Sequence, residues 1–274
     1  DPFVARGLDA LNYACYQDAR FMIVGTPSGI TLAPEGGAHQ SIGSPLIGMA
    51  QDGLAAFEPA FVDELAIIMR WAFAYMQNDG EGDPDERTWL RDETGGSVYL
   101  RLTTNPLEQP GRRPNPDFAQ NVIDGAYWMR PPGPGCELVV AYQGAVANEA
   151  IDAAGKLAQH HRDVAVLSVT SADRLNAGWT AAQRDRSRGN RRASSHVETL
   201  FSTLPAHCTV LTVTDGHPAT LSWLGAVGGH RTIPLGVEHF GQTGTVADLY
   251  RHFGLDSASI ARSANNALRK PGER

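Results

Sequence analysis

The sequence predicts an α/β fold built as two domains. Short apolar runs typical of buried strands alternate with segments of helical periodicity, which is the pattern of parallel sheets with helices on their faces. A proline-rich stretch at residues 110–135 separates two such patterns. The length of 274 residues is enough for two domains that each bury a core. We therefore expect domains at residues 1–109 and 136–274, joined by a linker at 110–135.

The first pattern alternates helix and strand. Its strongest helix is expected at residues 60–76, with Asp63 and Glu64 in the first turn and no Gly or Pro inside. The other expected elements are a helix at 7–16, strands at 21–25, 53–57 and 97–103, and a surface loop at 78–92.

The second pattern begins inside the linker with an edge strand at 125–129. The strands expected after it lie at 137–142, 164–170, 208–214 and 231–235, and the helices at 146–160, 195–203, 219–227, 246–253 and 257–268. A long polar segment is expected between residues 170 and 195.

Composition excludes several classes of protein. A hydrophobic content of 42% and a charged content of 19% are typical of a soluble globular protein, and the net charge of -7 argues against a nucleic-acid partner. Cys15, Cys136 and Cys208 show neither a metal-ligand spacing nor a disulfide framework, which favours a reducing cytoplasm. No membrane span and no signal peptide are expected, and a start without Met indicates a processed, truncated or partly ordered protein.

The candidate site lies on the loop at residues 26–43, directly after the first strand. In α/β folds the carboxyl ends of strands carry the ligand-binding loops. Here a Gly-rich turn sets Glu35 and His39 four residues apart. A carboxylate and an imidazole can together move protons near neutral pH, although such a pair is more often structural.

Four other features carry weaker predictions. The basic residues 184–192 contain an acid and no aromatics, which favours a solvated loop over a phosphate or nucleic-acid site. G-A-V-G-G at 225–229 follows a helix, so it lacks the context of a dinucleotide motif. His160 and His161 complement a helix dipole. The loop 238–244 is either an anion site at a helix start or a plain connection.

Several stretches resemble one enzyme family in the same order along the chain. T-P-S-G-I-T-L-A-P-E-G-G-A-H-Q-S at residues 26–41 is similar to the substrate loop of the transketolase superfamily. The further matching stretches are D-A-R at 18–20, F-E-P-A-F at 57–61, V-Y-L-R-L-T-T-N at 98–105, S-V-T-S at 168–171, L-G at 235–236, F-G at 240–241 and R-H-F at 251–253. The set most closely resembles the homodimeric decarboxylating component of pyruvate (2-oxoacid) dehydrogenase complexes.

The resemblance implies a thiamine-diphosphate- and Mg²⁺-dependent enzyme for oxidative decarboxylation of a 2-oxoacid and acyl transfer. It implies the latter part of a pyrimidine-binding domain, followed by a mixed-sheet transketolase C-terminal-like domain. His39 and Glu35 match catalytic loop residues that face the substrate, and Phe3 matches an aromatic residue that packs on the aminopyrimidine ring of the cofactor. The implied partners are a lipoyl-bearing acyltransferase and a second copy in a homodimer, or a companion chain with the diphosphate-binding domain.

The sequence departs from the family at the cofactor site. The Gly-Asp-Gly…Asn signature for Mg²⁺ and diphosphate is absent, since D-G at 79–80 and 215–216 lacks its context, so no metal ligand is expected in this chain. The cofactor-activating glutamate is expected upstream of Asp1. At 238–244 the family pattern D-G-F-G-R-S-D is changed in its last three places to Q-T-G.

Two alternatives stay open. One is ketol transfer of the transketolase type. Glu35 and the sequence T-T-N at 103–105 favour an oxoacid substrate over this alternative. The other is a non-catalytic module that dimerises or docks partners, which the missing diphosphate site supports.

Overall fold

A small parallel sheet is the framework of the first domain in a computed structural model that describes residues 1–80, 90–112, 115–159 and 163–268. Its strands are β1 (Met22–Gly25), β2 (Leu54–Phe57) and β3 (Ser97–Arg101), in the order β1-β3-β2. Its helices are α1 (Leu8–Tyr16), α2 (Ser44–Ala50) and α3 (Val62–Tyr75). Every residue of the central strand β3 is buried, because parallel sheets are covered on both faces.

Helix α3 begins where its sequence indicates. The Glu64 side chain accepts hydrogen bonds from the backbone amides of Ala60 at 2.7 Å and Phe61 at 2.9 Å, which satisfies two donors near the helix start. Ile68, on the apolar face, is fully buried in a cluster with residues of the sheet. The helix expected for this stretch is confirmed.

The second domain is a mixed sheet in the order β4-β6-β5-β7-β8, in which only the pairing of β4 with β6 is antiparallel among the described strands. The strands are β4 (Ala126–Arg130), β5 (Leu138–Gln143), β6 (Val164–Val169), β7 (Thr209–Thr214) and β8 (Arg231–Leu235). The helices are α4 (Phe118–Asp124), α5 (Ala147–Ala158), α6 (Ala172–Ser187), α7 (His196–Phe201), α8 (Ala219–Ser222), α9 (Val246–Phe253) and α10 (Ser257–Leu268). The predicted α/β class is confirmed.

The stretch expected as a linker, residues 110–135, contains packed secondary structure. Its prolines lie before residue 117 and after residue 130, so the interior is free to form α4 and β4. Phe118 and Val122 of α4 belong to the apolar core of the first domain, while β4 is an edge strand of the second sheet. The expected edge strand is confirmed, and the domains are joined through packed elements.

Helix α6 replaces the polar segment expected after residue 170. Ser171 caps it by accepting a hydrogen bond from the backbone amide of Arg174 at 3.0 Å. Asp173 lies in the first turn and arginines lie in the last, which suits the helix dipole. The basic residues 184–192, expected as a loop, therefore begin inside a helix.

The remaining expected helices and strands are found within a few residues of their predicted bounds, and most of the surface loop expected at residues 78–92 lies outside the described residues. Helix α2 is an addition to the prediction, and the helix expected at 219–227 divides into α8 and a 3-10 turn at Trp223–Ala226. His160 and His161 lie outside the described residues. Among the described helices, none is both long enough and apolar enough to cross a membrane.

Candidate active site

The loop after β1, residues 26–43, lies at the carboxyl end of the first sheet and is anchored in the second domain. We call it the first loop. It runs through two 3-10 turns, Gly29–Glu35 and Gly37–His39. Ile30 and Ala33 are fully buried in the apolar cluster on one face of the second sheet. Because this side of the loop is fixed by burial, its other side is left to present polar groups at the surface.

Two of the predicted site residues, Phe3 and His39, lie side by side. Their ring centroids are 6.1 Å apart and the planes make an angle of 66°, an edge-to-face contact. The Phe3 side chain is 60% exposed, and the guanidinium carbon of Arg6 lies 4.9 Å from its ring centroid. An accessible aromatic ring, an imidazole and a cation thus share one surface.

Glu35, the third predicted site residue, is exposed on the first loop but is not bonded to His39. No hydrogen bond or ion pair joins these two described side chains. The backbone amide of His39 donates to the carbonyl of Gly36 at 3.1 Å. Gly36 has φ of +92°, a conformation that favours glycine. The Gly-rich turn therefore separates the carboxylate from the imidazole.

A second loop, residues 236–244 after β8, packs directly onto the first. The fully buried side chain of Gln40 donates from Nε2 to the backbone oxygen of Gln242 at 2.9 Å. A β-carbon on Gly37 would overlap the backbone carbonyl of Gly241, so the two main chains approach more closely than a side chain allows. The two strand-end loops that the sequence indicates separately therefore form one continuous surface.

A cluster of charged side chains is buried beneath the first loop, where the two domains meet. At its centre Arg101, the last residue of β3, is 1% exposed. Its Nε donates to Asp1 Oδ2 at 3.1 Å, and its Nη1 donates to Asp215 Oδ1 at 2.9 Å and to Glu58. We call these four residues the Arg101 cluster. Charges without access to water are tolerated only when they are paired in this way.

Burial in the Arg101 cluster changes the proton affinity of Glu58. Burial is the largest cause and raises its pKa; Asp215 raises it further, whereas Arg101 and the amide of Gln143 lower it, leaving a pKa of about 7. Burial lowers the pKa of Arg101, but Glu58 and Asp215 outweigh this and keep it above its ordinary value. A carboxyl group that titrates near neutral pH therefore lies at the domain interface.

Two glycines bring the main chain against the Arg101 cluster. Gly29, in the first loop, has φ of +51°, and a β-carbon there would overlap Asp215. Gly144, directly after β5, has φ of +68°, and its β-carbon would overlap Glu58. Asp1, itself in the cluster, lies two residues before Phe3. The cluster therefore positions both segments that carry the candidate site.

Sequence reasoning does not find the Arg101 cluster, although signals for it are present. Arg101 is the charged residue in the otherwise uncharged strand S-V-Y-L-R, and Glu58 directly follows the apolar strand L-A-A-F. Asp215 enters that reasoning only as part of a D-G pair without the diphosphate context. Charged residues at the carboxyl ends of neighbouring strands meet at one edge, so this rule would have grouped Arg101 with Glu58. It does not reach Asp215, which follows β7 of the second sheet.

The other sequence features do not build a second site. The segment 225–229 runs from a 3-10 turn toward β8, the reverse of the strand-to-helix order of a dinucleotide motif. Within the basic stretch, Arg186 pairs with Glu198 at 2.5 Å. In residues 1–80, 90–112, 115–159 and 163–268, no three His, Cys, Asp or Glu side chains converge in a metal-binding arrangement.

Residues 125–256 match the family of the transketolase-like TK C-terminal domain. The chain is 27% identical over 270 residues to the pyruvate dehydrogenase E1 component of Mycolicibacterium smegmatis, which is 97% of this chain and 28% of that protein. It is 25% identical over 272 residues to the E1 component of Corynebacterium glutamicum, again 97% of this chain and 28% of that protein. The chain thus spans about 28% of the length of these curated relatives.

Solved structures show the same fold. The transketolase of Leishmania mexicana superposes with a TM-score of 0.72 at 18% identity, over 97% of this chain and 33% of that one. A split-gene transketolase, described as an inactive β4 tetramer, superposes with a TM-score of 0.65 at 17% identity, over 97% of this chain and 73% of that one. The sequence makes this chain a distant homologue of pyruvate dehydrogenase E1 components, and its fold is that of the C-terminal part of transketolases.

Proposed function

We propose that this chain is the C-terminal portion of a thiamine-diphosphate-dependent 2-oxoacid dehydrogenase component that carries out oxidative decarboxylation and acyl transfer. The observation that carries the proposal is the contact between Phe3 and His39 on the surface formed by the two strand-end loops. Homology to pyruvate dehydrogenase E1 components over 97% of the chain supports a pyruvate-like substrate.

The residues present fit one edge of a cofactor site. Thiamine diphosphate, when bound, supplies the electron sink that loss of carbon dioxide from a 2-oxoacid requires. Phe3 would hold it by packing on the aminopyrimidine ring, because the Phe3 ring is 60% exposed and held beside His39. The groups that bind Mg²⁺ and diphosphate would come from a diphosphate-binding domain outside this chain.

His39 would act on the substrate itself. An imidazole can donate a hydrogen bond to the substrate carboxylate, or carry a proton to or from the former carbonyl oxygen. Glu35 would act on the former carbonyl oxygen of the substrate and not through His39, because the two side chains share no hydrogen bond. The Arg101 cluster would keep both loop segments in place.

The proposed partners follow from the same reaction. The acyl group would pass to a lipoyl-bearing acyltransferase, and the active unit would be a cytoplasmic homodimer or an assembly with a companion chain that carries the diphosphate-binding domain. The second arrangement is supported by the likeness to a split-gene transketolase, of which this chain covers 73%.

The substrate class is tested by assaying the holoenzyme that contains this chain. We expect decarboxylation of pyruvate or 2-oxobutyrate, and no ketol transfer from xylulose 5-phosphate. Ketol transfer without oxoacid decarboxylation would overturn the proposal in favour of a transketolase.

A non-catalytic docking or dimerisation module is the second candidate, favoured by the fold that this chain shares with an inactive split-gene transketolase tetramer. Calorimetric titration of the isolated chain with thiamine diphosphate and Mg²⁺ measures whether the chain binds the cofactor without other domains. We expect no detectable heat of binding, since the groups for diphosphate would lie elsewhere. Tight Mg²⁺-dependent binding would contradict this division of the site.

A comparison of oxoacid turnover with and without this chain distinguishes the two candidates. Turnover at the same rate without this chain would favour the docking module.

A further inference from the structure

Two cysteines distant in the sequence meet inside the second domain. The Sγ of Cys208 lies 3.8 Å from the Sγ of Cys136 and donates a hydrogen bond to it. The side chains are 1% and 0% exposed, in the apolar cluster on one face of the second sheet. Cys15 lies in the first domain, in a different apolar cluster. The chain therefore has one thiol pair and one separate thiol.

The sheet holds this pair in register. Cys208 immediately precedes β7 and Cys136 lies two residues before β5, and these strands pair in parallel from Leu138 with Thr209. The backbone amide of Thr209 donates to the carbonyl of Glu137 at 2.9 Å, which ties the two strand starts together. Since a disulfide needs a sulfur separation of about 2.0 Å, the two atoms must approach by roughly 1.8 Å, a distance that side-chain rotation can supply.

The hydrogen bond makes the two thiols chemically unequal. By accepting it, Cys136 has its pKa lowered, although burial opposes this change. The same bond, together with burial, raises the pKa of Cys208. Because the thiolate is the reactive form, Cys136 is the nucleophile of the pair and Cys208 is its neighbour.

Both thiols lie just inside the protein surface. Cys136 follows two exposed residues, Pro134 and Gly135, and Cys208 follows the exposed residues Ala206 and His207. Local opening of such a turn costs less free energy than unfolding of the domain. A small oxidant therefore has a short path to the pair.

We propose that Cys136 and Cys208 form a reversible intramolecular disulfide, a modification site of the second domain. The oxidant is a peroxide. The Cys136 thiolate attacks one peroxide oxygen, the O–O bond breaks, and a sulfenic acid and one water form. The Cys208 sulfur then attacks the sulfenic sulfur, so that the S–S bond forms and a second water leaves. Two thiols are oxidised and one peroxide is reduced to two waters. A dithiol reductant reverses the bond by exchange.

The position of the disulfide predicts its effect. It joins the amino ends of β5 and β7, whereas Gln143 and Asp215, beside the candidate site, lie at their carboxyl ends. A strand of this length places the two edges about 20 Å apart. The bond would close a loop of the chain across 72 residues and so restrict the unfolded state. We expect the disulfide to stabilise the second domain and leave the candidate site unchanged.

The test treats the reduced, full 274-residue chain with hydrogen peroxide, blocks free thiols under denaturing conditions and maps the peptides by mass spectrometry. We expect a Cys136–Cys208 cross-linked peptide, an intact mass lower by two hydrogens, a free Cys15, and full reversal by dithiothreitol. The Tm of the oxidised chain should exceed that of the reduced chain.

Cysteine variants identify which thiols form the cross-link. C15S is the matched control and should form the cross-link as the unmodified chain does, whereas C136S and C208S should not form it. The mapping of the unmodified chain stands even if a variant fails to fold. Sulfinic acid on Cys136, a link through Cys15, or no oxidation of either cysteine of the pair would each overturn the proposal.

Discussion

Glu58 links the stability of the fold to pH through its burial between Arg101 and Asp215. Its pKa is raised from 4.5 to about 7, so between these values the folded chain holds a proton that the unfolded chain has released. The stabilisation is complete below pH 4.5 and is lost as the pH rises through 7. The folded state is therefore favoured on the acidic side of this window.

The variant Glu58→Gln removes this titration. We expect the free energy of unfolding of the unmodified chain to fall, relative to that of the variant, by up to about 3 kcal/mol between pH 4.5 and 7. Urea unfolding at several pH values measures the difference. The exposed Glu108→Gln is the control and should follow the unmodified profile. Parallel profiles for the unmodified chain and Glu58→Gln would rule out the titration.

Glycine is required at position 29 for two reasons, the close contact with Asp215 and the positive φ. Gly29→Ala would press a methyl group into the buried carboxylate of Asp215 at a positive φ, so we expect a loss of at least about 2 kcal/mol in the free energy of unfolding. Gly43→Ala, in the same loop, has open space and φ of -86°, and should change stability little. Chemical denaturation of both variants checks this; equal effects would contradict the packing of Gly29 on the Arg101 cluster.

Among the elements, strands were easier to predict than polar helices. The strand at 137–142 is apolar after its first residue, and the strand at 208–214 combines apolar residues with β-branched threonines, which suits strands buried on both faces. Helix α6 lacks a clean apolar stripe, because it packs on α2 and β2 of the first domain and buries the charged residues Asp173 and Arg174 among its apolar ones. Its start was still encoded by Ser171 and Asp173, a cap and an acidic first turn. Capping residues would have found this helix where periodicity did not.

Ser171 therefore supports both α6 and the domain interface. Its hydroxyl oxygen accepts from the Arg174 amide and donates to the carbonyl of Ala56 at 2.6 Å. We expect Ser171→Ala to lower the free energy of unfolding by about 1 to 2 kcal/mol. Ser187→Ala, at the exposed end of the same helix, should change it by less than about 0.5 kcal/mol. Thermal unfolding compares the two; a larger effect for Ser187→Ala would contradict the role of the cap.

At the scale of the whole molecule, the sequence predicts the α/β class and the order of the strands along the chain but not how the two sheets are held together. Side chains from Asp1 to Asp215 meet at Arg101, and such long-range pairing leaves no periodic trace. The family resemblance assigns Phe3 and His39 to one site, but it does not predict the edge-to-face contact between their rings. Local sequence patterns predict helices and strands, whereas the candidate site depends on how these elements pack together.

Arg101→Met tests this packing. Removing the guanidinium leaves buried carboxylates without their partner, so we expect a loss of about 3 to 5 kcal/mol in the free energy of unfolding and faster amide exchange in the first loop. Arg191→Met, on the exposed basic stretch, is the control. Hydrogen exchange followed by mass spectrometry measures both variants. Unchanged protection of residues 26–43 in Arg101→Met would show that the cluster does not hold the first loop.

The central claim is that the first loop presents His39 to a 2-oxoacid. It is tested most directly by the turnover of the holoenzyme with His39→Ala in this chain. We expect turnover to fall by about a hundredfold or more while the affinity for thiamine diphosphate changes little, because His39 would act on the substrate and not on the cofactor. The control His252→Ala changes an exposed side chain of α9 and should retain turnover. Unchanged oxoacid turnover in His39→Ala would contradict the account.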